Sequence, residues 1–182
     1  MPSGSSALPT ATRDDVVIVG AGIGGLTLAL ALHQAGIACR VFEATAEILP
    51  LGVGINVLPH ATAVLRSLGV LDELERIADV TREAAFFNRF GQLVYSEPAG
   101  RWAGYEVPQL SIHRGDLQGV LLAAVRKRIG AANVLTGHAC VSVDDVGAER
   151  VRLRFRGLAG APLADERRRR NRRLQKIPAG DG

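Results

Sequence analysis

Residues 15–43 read DVVIVGAGIGGLTLALALHQAGIACRVFE, and the order of signals in this stretch sets the fold. The apolar run Val16–Val19 has the length of a buried strand. It leads straight into Gly20-Ala21-Gly22-Ile23-Gly24-Gly25, which fits G-x-G-x-x-G. A helical segment then runs to about Ala35 and is stopped by Gly36. A second β-branched run, Cys39–Phe42, ends at an acid, Glu43. Strand, glycine turn, helix, strand and acid, in that order, describe a βαβ unit that binds a dinucleotide.

Each part has a physical reason. Gly20 permits a tight turn off the strand, because only glycine takes positive φ without a Cβ penalty. Gly22 lets the backbone approach a diphosphate, and Gly25 lets the helix pack closely on the sheet. The N–H groups that open the helix have no internal partners, and the helix dipole adds partial positive charge there. A diphosphate supplies the missing acceptors. Glu43 is placed to accept hydrogen bonds from both hydroxyls of an adenosine ribose. The same carboxylate disfavours a 2′-phosphate, so NAD or FAD is expected at this site in preference to NADP. The pattern alone does not separate those two.

The chain has 182 residues, enough for one domain with a sizeable core. With 47% apolar residues the composition is globular, and with only 4% aromatic residues the core must be aliphatic. Two cysteines, Cys39 and Cys140, form neither a disulfide framework nor a metal set. A reducing, cytoplasmic setting is the expectation, with no metal. The net charge of +4 resides at the C-terminal end, where seven Arg and Lys residues face three acids from Asp165 onward. The rest is neutral, so no nucleic-acid partner is expected. No apolar run is long enough to span a bilayer, so no membrane partner is expected either.

Residues 1–13 are rich in Ser, Thr, Ala and Pro and read as an unordered leader, followed by a cofactor-binding domain over 14–157. The remainder, 158–182, reads as a basic tail without apolar period, unordered or translated out of frame. Between these limits, Pro59 opens a helix with Val64, Leu65 and Leu68 on one face, and Gly69 ends it. Leu71–Ala78 is a second short helix. Alternation around Ala85, Phe87 and Val94 predicts a hairpin turned through Asn88-Arg89-Phe90-Gly91. Gln109–Ile112 is a strand, and Asp116 to about Ile129 an amphipathic helix with Leu117, Val120, Leu121, Ala124 and Val125 inward. Asn133–Val143 and Val151–Phe155 read as strands.

Two further features bear on chemistry. Gly52 and Gly54 flank one apolar residue, which suits either backbone lying against a flat ligand or an ordinary turn. Arg114 stands between a strand and a helix whose N-terminus faces the same edge as the glycine loop. It either holds a phosphate or ribityl oxygen or caps a nearby carboxylate. His113 reads as structural. No residue stands out as a catalytic acid, base or nucleophile.

The segments VVIVGAGIGGLTLALALHQAG, EILPLGVGINVLPHA, NRFGQLVYSEP and PQLSIHRGDLQ together resemble the class A flavoprotein aromatic monooxygenases, and within them the phenazine-carboxylate hydroxylases. The resemblance covers about Asp14 to Val143. It implies a Rossmann-like, three-layer α/β FAD-binding fold, cut short before a substrate domain is completed. It implies non-covalent FAD over Gly20, Ala21, Gly22, Ile23, Gly24 and Gly25, with Glu43 on the ribose. It puts Gly54 near the isoalloxazine, Arg114 at the ribityl–phosphate region, and backbone near Cys140 and Val141 at the adenine. The implied chemistry is hydroxylation of a small aromatic substrate with O2 and with NADH or NADPH as transient reductant. The family's later D-G and G-D segments are not found in this sequence, so the chain is expected to be inactive alone. An NAD-binding module of another oxidoreductase and a non-catalytic fragment are the alternative readings.

Overall fold

The computed structural model describes residues 16–145, 150–157 and 162–169. Its centre is a short parallel sheet of β1 (Val16–Val19), β2 (Cys39–Phe42) and β8 (Val134–Leu135), in the order β1-β2-β8. Because β2 lies between two strands and under two layers, all four of its residues are buried. Alternation sends successive side chains to opposite faces. Ile18, Cys39 and Val41 join one core cluster with Leu26 and Leu30 of α1 (Ile23–Gln34) and Leu117, Leu121 and Val125 of α4 (Arg114–Ile129). Phe42 and Leu135 point the other way, into a second cluster with Leu153 and Phe155.

That second cluster belongs to an antiparallel meander of β9 (Ala139–Asp145), β10 (Arg150–Arg156) and β11 (Pro162–Arg169), which covers the far face. The rings of Phe42 and Phe155 stack with centroids 4.3 Å apart and tie the two sheets together. Two helices, a parallel sheet and a meander make the three-layer α/β fold that the family resemblance implies.

A second antiparallel sheet, β3 (Gly54–Val57), β7 (Gln109–His113) and β4 (Asp79–Thr81), carries the chain back to the site. Gly54 pairs with His113, so β3 brings the preceding loop against the start of α4. The helices α2 (Pro59–Ser67) and α3 (Leu71–Ile77) are fastened beneath it. Fully buried Thr62 donates to the carbonyl of Pro108 at 2.7 Å, which joins α2 to the approach of β7. The hairpin β5 (Glu83–Phe87) and β6 (Leu93–Pro98) stands apart. Its turn is built by Asn88, whose Oδ1 accepts the N–H groups of Phe90 and Gln92.

Four expectations are corrected. The Asn133–Val143 stretch is not one strand: positive φ at Gly137 turns the chain, giving β8 in the parallel sheet and β9 in the meander. The helix α4 begins at Arg114 and not at Asp116, because the strand reaches it with no intervening turn. Val64 is 47% exposed and does not share the buried face of Leu65 and Leu68. Part of the expected tail, Pro162–Arg169, is a strand paired with β10, so the boundary placed at 157 falls inside the meander. Residues 1–13 and those beyond 169 lie outside the described residues. Among the described residues no helix is long and apolar enough to cross a membrane, and no cluster of His, Cys, Asp or Glu is arranged to hold a metal ion.

Candidate functional site

The glycine loop is shaped by three different demands. Gly20 has φ +99, a conformation that L side chains rarely adopt. Its N–H donates to the Phe42 carbonyl at 2.7 Å and locks the loop to the end of β2. A Cβ on Gly25 would run into the carbonyl oxygen of Gly20, so the helix could not lie where it does with any other residue. Gly22 differs from both. Its φ of −73 and ψ of 178 are extended backbone open to most residues, and a Cβ there would meet nothing within 4 Å. The chain itself gives no reason for glycine at this point; the space in front of it does.

That space is a cleft of about 550 Å³. Gly22, Glu43 and Thr45 line one wall, and Arg114 and Gln118, one helical turn apart on α4, line another. Ile48, Leu49 and Leu51 form an apolar edge. Leu51 is 71% exposed and Val53 is 72% exposed on the loop beyond it. The loop is held against α4 by two contacts: the N–H of Arg114 donates to the Val53 carbonyl at 3.0 Å, and Nε2 of His113 lies 3.1 Å from the Gly52 carbonyl. A Cβ on Gly52, whose φ is +146, would stand 3.0 Å from Cβ of Arg114. The absence of a side chain there lets the loop rest on the arginine stem.

Glu43 closes over the glycine loop. Its Oε2 accepts the Ala21 N–H at 2.8 Å, and its Oε1 accepts the N–H of Thr45 at 3.0 Å and the Thr45 hydroxyl at 3.2 Å. Partial burial alone would raise this carboxyl. The N–H of Thr45, the N–H of Ala21, the Thr45 hydroxyl and the Ala44 N–H outweigh it and hold the pKa below the ordinary glutamate value. The group is therefore an anion at neutral pH, fixed beside the loop.

The structure thus brings Gly22, Glu43 and Arg114, far apart in sequence, to one cleft. Ala21 is fully buried under it, Ile23 packs into the core, and Gly24 lies on the exposed side of α1. Gly54 and Val141 do not line the cleft. Gly54 sits just beyond the loop, opposite His113, and Val141 is half-exposed on β9. Two contributors were missed from sequence: Thr45, which orients Glu43, and Gln118, whose Nε2 donates to the Ala21 carbonyl at 2.8 Å. The spacing of Arg114 and Gln118, four residues on one helix, was the available signal for the second.

A glycine loop, a fixed carboxylate at the end of the second strand and a helix N-terminus on one cleft define a dinucleotide-binding domain of the βαβ type. Comparison with known proteins narrows this. Residues 13–156 match the FAD binding domain family. The chain belongs to that family, as the FAD-binding domain of the class A flavin monooxygenases. It is 52% identical over 131 residues to a phenazine 1,6-dicarboxylic acid hydroxylase of Lysobacter antibioticus, covering 71% of this chain and 32% of that protein. It is 34% identical over 145 residues to a 3-amino-4-hydroxybenzoate 2-monooxygenase of Streptomyces cremeus, covering 77% and 35%. The chain spans about a third of the length of these relatives. The crystal structure of p-nitrophenol 4-monooxygenase from Pseudomonas putida has the same fold, with a TM-score of 0.73 at 24% identity over 86% of this chain and 40% of that one.

Proposed function

We propose that this chain holds FAD non-covalently as the cofactor-binding part of a monooxygenase that hydroxylates a small aromatic substrate. The observation that carries this reading is Gly22, a glycine with no conformational or packing reason of its own that faces a cleft. A diphosphate is the group that needs bare backbone at the opening of a helix. In this reading Gly20 to Gly25 form the diphosphate cradle. Glu43 keeps one lone pair on Oε2 for an adenosine ribose, since the Ala21 N–H takes only one of the two. Arg114 faces the cleft with a guanidinium that suits phosphate or ribityl oxygens. Gly54 is assigned to the flavin side and Val141 to the adenine side by family resemblance.

FAD held there would supply the redox chemistry, with NADH or NADPH as reductant and O2 as the source of the oxygen atom. The residues of this chain bind and orient; none of those lining the cleft is placed as a catalytic acid or base. Leu51 on the apolar edge of the cleft and Val53 on the same loop are exposed to water. For that reason we assign the 182-residue chain alone the role of binding, without coupled hydroxylation.

The test is titration of the purified chain with FAD, FMN and NAD, followed by flavin fluorescence and calorimetry. Stoichiometric FAD binding with much weaker FMN binding is expected, because the contacts described serve the adenosine half. Preference for NAD, or equal affinity for FMN, would overturn the reading.

A further inference from the structure

Ala21 is fully buried, yet both of its polar backbone atoms are held by side chains from distant elements. Its N–H is taken by Glu43 at the end of β2, and its carbonyl by Gln118 on α4, at 2.8 Å each. The second contact spans 97 positions of sequence and ties α4 to the glycine loop. Together the two side chains fix the peptide planes on either side of Ala21.

The plane after Ala21 matters most for a ligand. In a trans peptide the carbonyl and the following N–H point in opposite directions within one plane. Holding the Ala21 carbonyl therefore fixes the direction of the Gly22 N–H, which opens α1 at the cleft. We propose that Gln118 is a positioning residue for the glycine loop: by holding the Ala21 carbonyl it sets the Ala21–Gly22 peptide, and so determines affinity for a diphosphate-bearing nucleotide. This inference rests on the FAD reading of the cleft.

The side chain must donate to do this, which gives a test that a purely structural role does not share. In Gln118→Leu the donor is lost and the apolar stem kept. FAD affinity should fall by about five- to tenfold, the weight of one hydrogen bond, at every pH from 5 to 8. In Gln118→Glu the introduced carboxyl can donate only when protonated. Its pKa should lie above the ordinary value near 4.3, because it faces a carbonyl and a bound diphosphate. FAD affinity in that variant should approach the unaltered chain at pH 5 and fall below that of Gln118→Leu, by about another tenfold, at pH 8.

Dissociation constants for FAD and for ADP are to be measured across this range, with circular dichroism confirming that each variant is folded. If Gln118→Leu does not fold, the pH profile of Gln118→Glu decides alone. A flat profile in Gln118→Glu, or an unchanged constant in Gln118→Leu, overturns the inference and leaves the FAD reading standing. Failure of the unaltered chain to bind FAD or ADP brings down both.

Discussion

The glycine loop and the β5–β6 hairpin are both turns between paired elements, and they are built on opposite terms. At the loop every constraint comes from elsewhere in the fold: Phe42, Glu43 and Gln118 each hold a backbone atom of Gly20 or Ala21. At the hairpin the constraints are local, with Asn88 bonding within four residues of itself. The loop buries Ala21 completely, whereas every residue of β6 is exposed, and Phe90 at the turn is 72% exposed. Long-range fixation is what preorganises a backbone for a ligand. Local fixation specifies a turn and nothing beyond it. Substitutions at the loop should therefore be costly in stability or binding, and those at the hairpin cheap.

The largest effects should separate two glycines three positions apart in the loop, Gly22 and Gly25. In Gly25→Ala the new Cβ collides with the Gly20 carbonyl, and helix and strand must move apart. A loss of about 3 kcal/mol in unfolding free energy is expected, at the upper end of overpacking costs. In Gly22→Val nothing in the chain is struck, so stability should change by less than about 1 kcal/mol, mostly from a poorer helix cap. FAD affinity, in contrast, should fall more than about a hundredfold, through exclusion of the diphosphate. Urea unfolding and FAD titration on both variants check the pair. Comparable stability losses would show that Gly22 serves packing after all.

Glu43→Gln should have the next largest effect. The amide keeps the shape and one acceptor, but presents an NH2 group to either Ala21 or Thr45, both of which donate. Charge-assisted hydrogen bonds of this kind contribute roughly 1.5–3 kcal/mol, so FAD affinity should drop about ten- to a hundredfold. The pH dependence follows from the lowered pKa. The folded state binds this proton less readily than the unfolded chain, so the carboxylate stabilises the fold at pH above the ordinary value near 4.3. That contribution is lost as pH falls through the folded value below it. Unfolding free energy of the unaltered chain should therefore decline below about pH 4 more steeply than that of Glu43→Gln. Parallel curves would mean that Glu43 titrates normally and is not fixed at the loop.

The loop was legible in the sequence because its signals are consecutive: positive φ at Gly20, close approach at Gly25 and a β2 end at Glu43 all follow within one βαβ unit. Arg114 could be placed at the same edge because a strand runs directly into its helix. Gln118 and Thr45 could not be read, since their partners depend on how α4 and the end of β2 meet the loop in space. The misreading of 133–143 has a similar cause. Apolar residues stand on both sides of Thr136-Gly137-His138, and it is the placing of Leu135 in the parallel sheet and of β9 in the meander that shows the chain changing layers there. The strand at 162–169 was missed because its sequence, PLADERRR, lacks the apolar period, and its place comes from pairing with β10.

The smallest effect is expected at the hairpin, and it tests the other side of the comparison. Phe90 stacks under the guanidinium of Arg89, 4.6 Å from its centroid, and is otherwise largely in water. Val94 on β6 is 68% exposed. Removing their apolar surface should cost little, because folding buries little of it. For Phe90→Ser and Val94→Ser the unfolding free energy should change by no more than about 0.5 kcal/mol each, the range of ordinary surface substitutions. The double variant should equal the sum of the two, as their turn is fixed by Asn88 and not by either side chain. FAD affinity should be unchanged, since neither residue lines the cleft. A loss above 1 kcal/mol in either variant, measured by urea unfolding at several protein concentrations, would mean that the hairpin is covered in solution. A dependence of that loss on concentration would identify the cover as a second copy of the chain. The contrast between a loop held from afar and a hairpin held only by itself would then no longer stand.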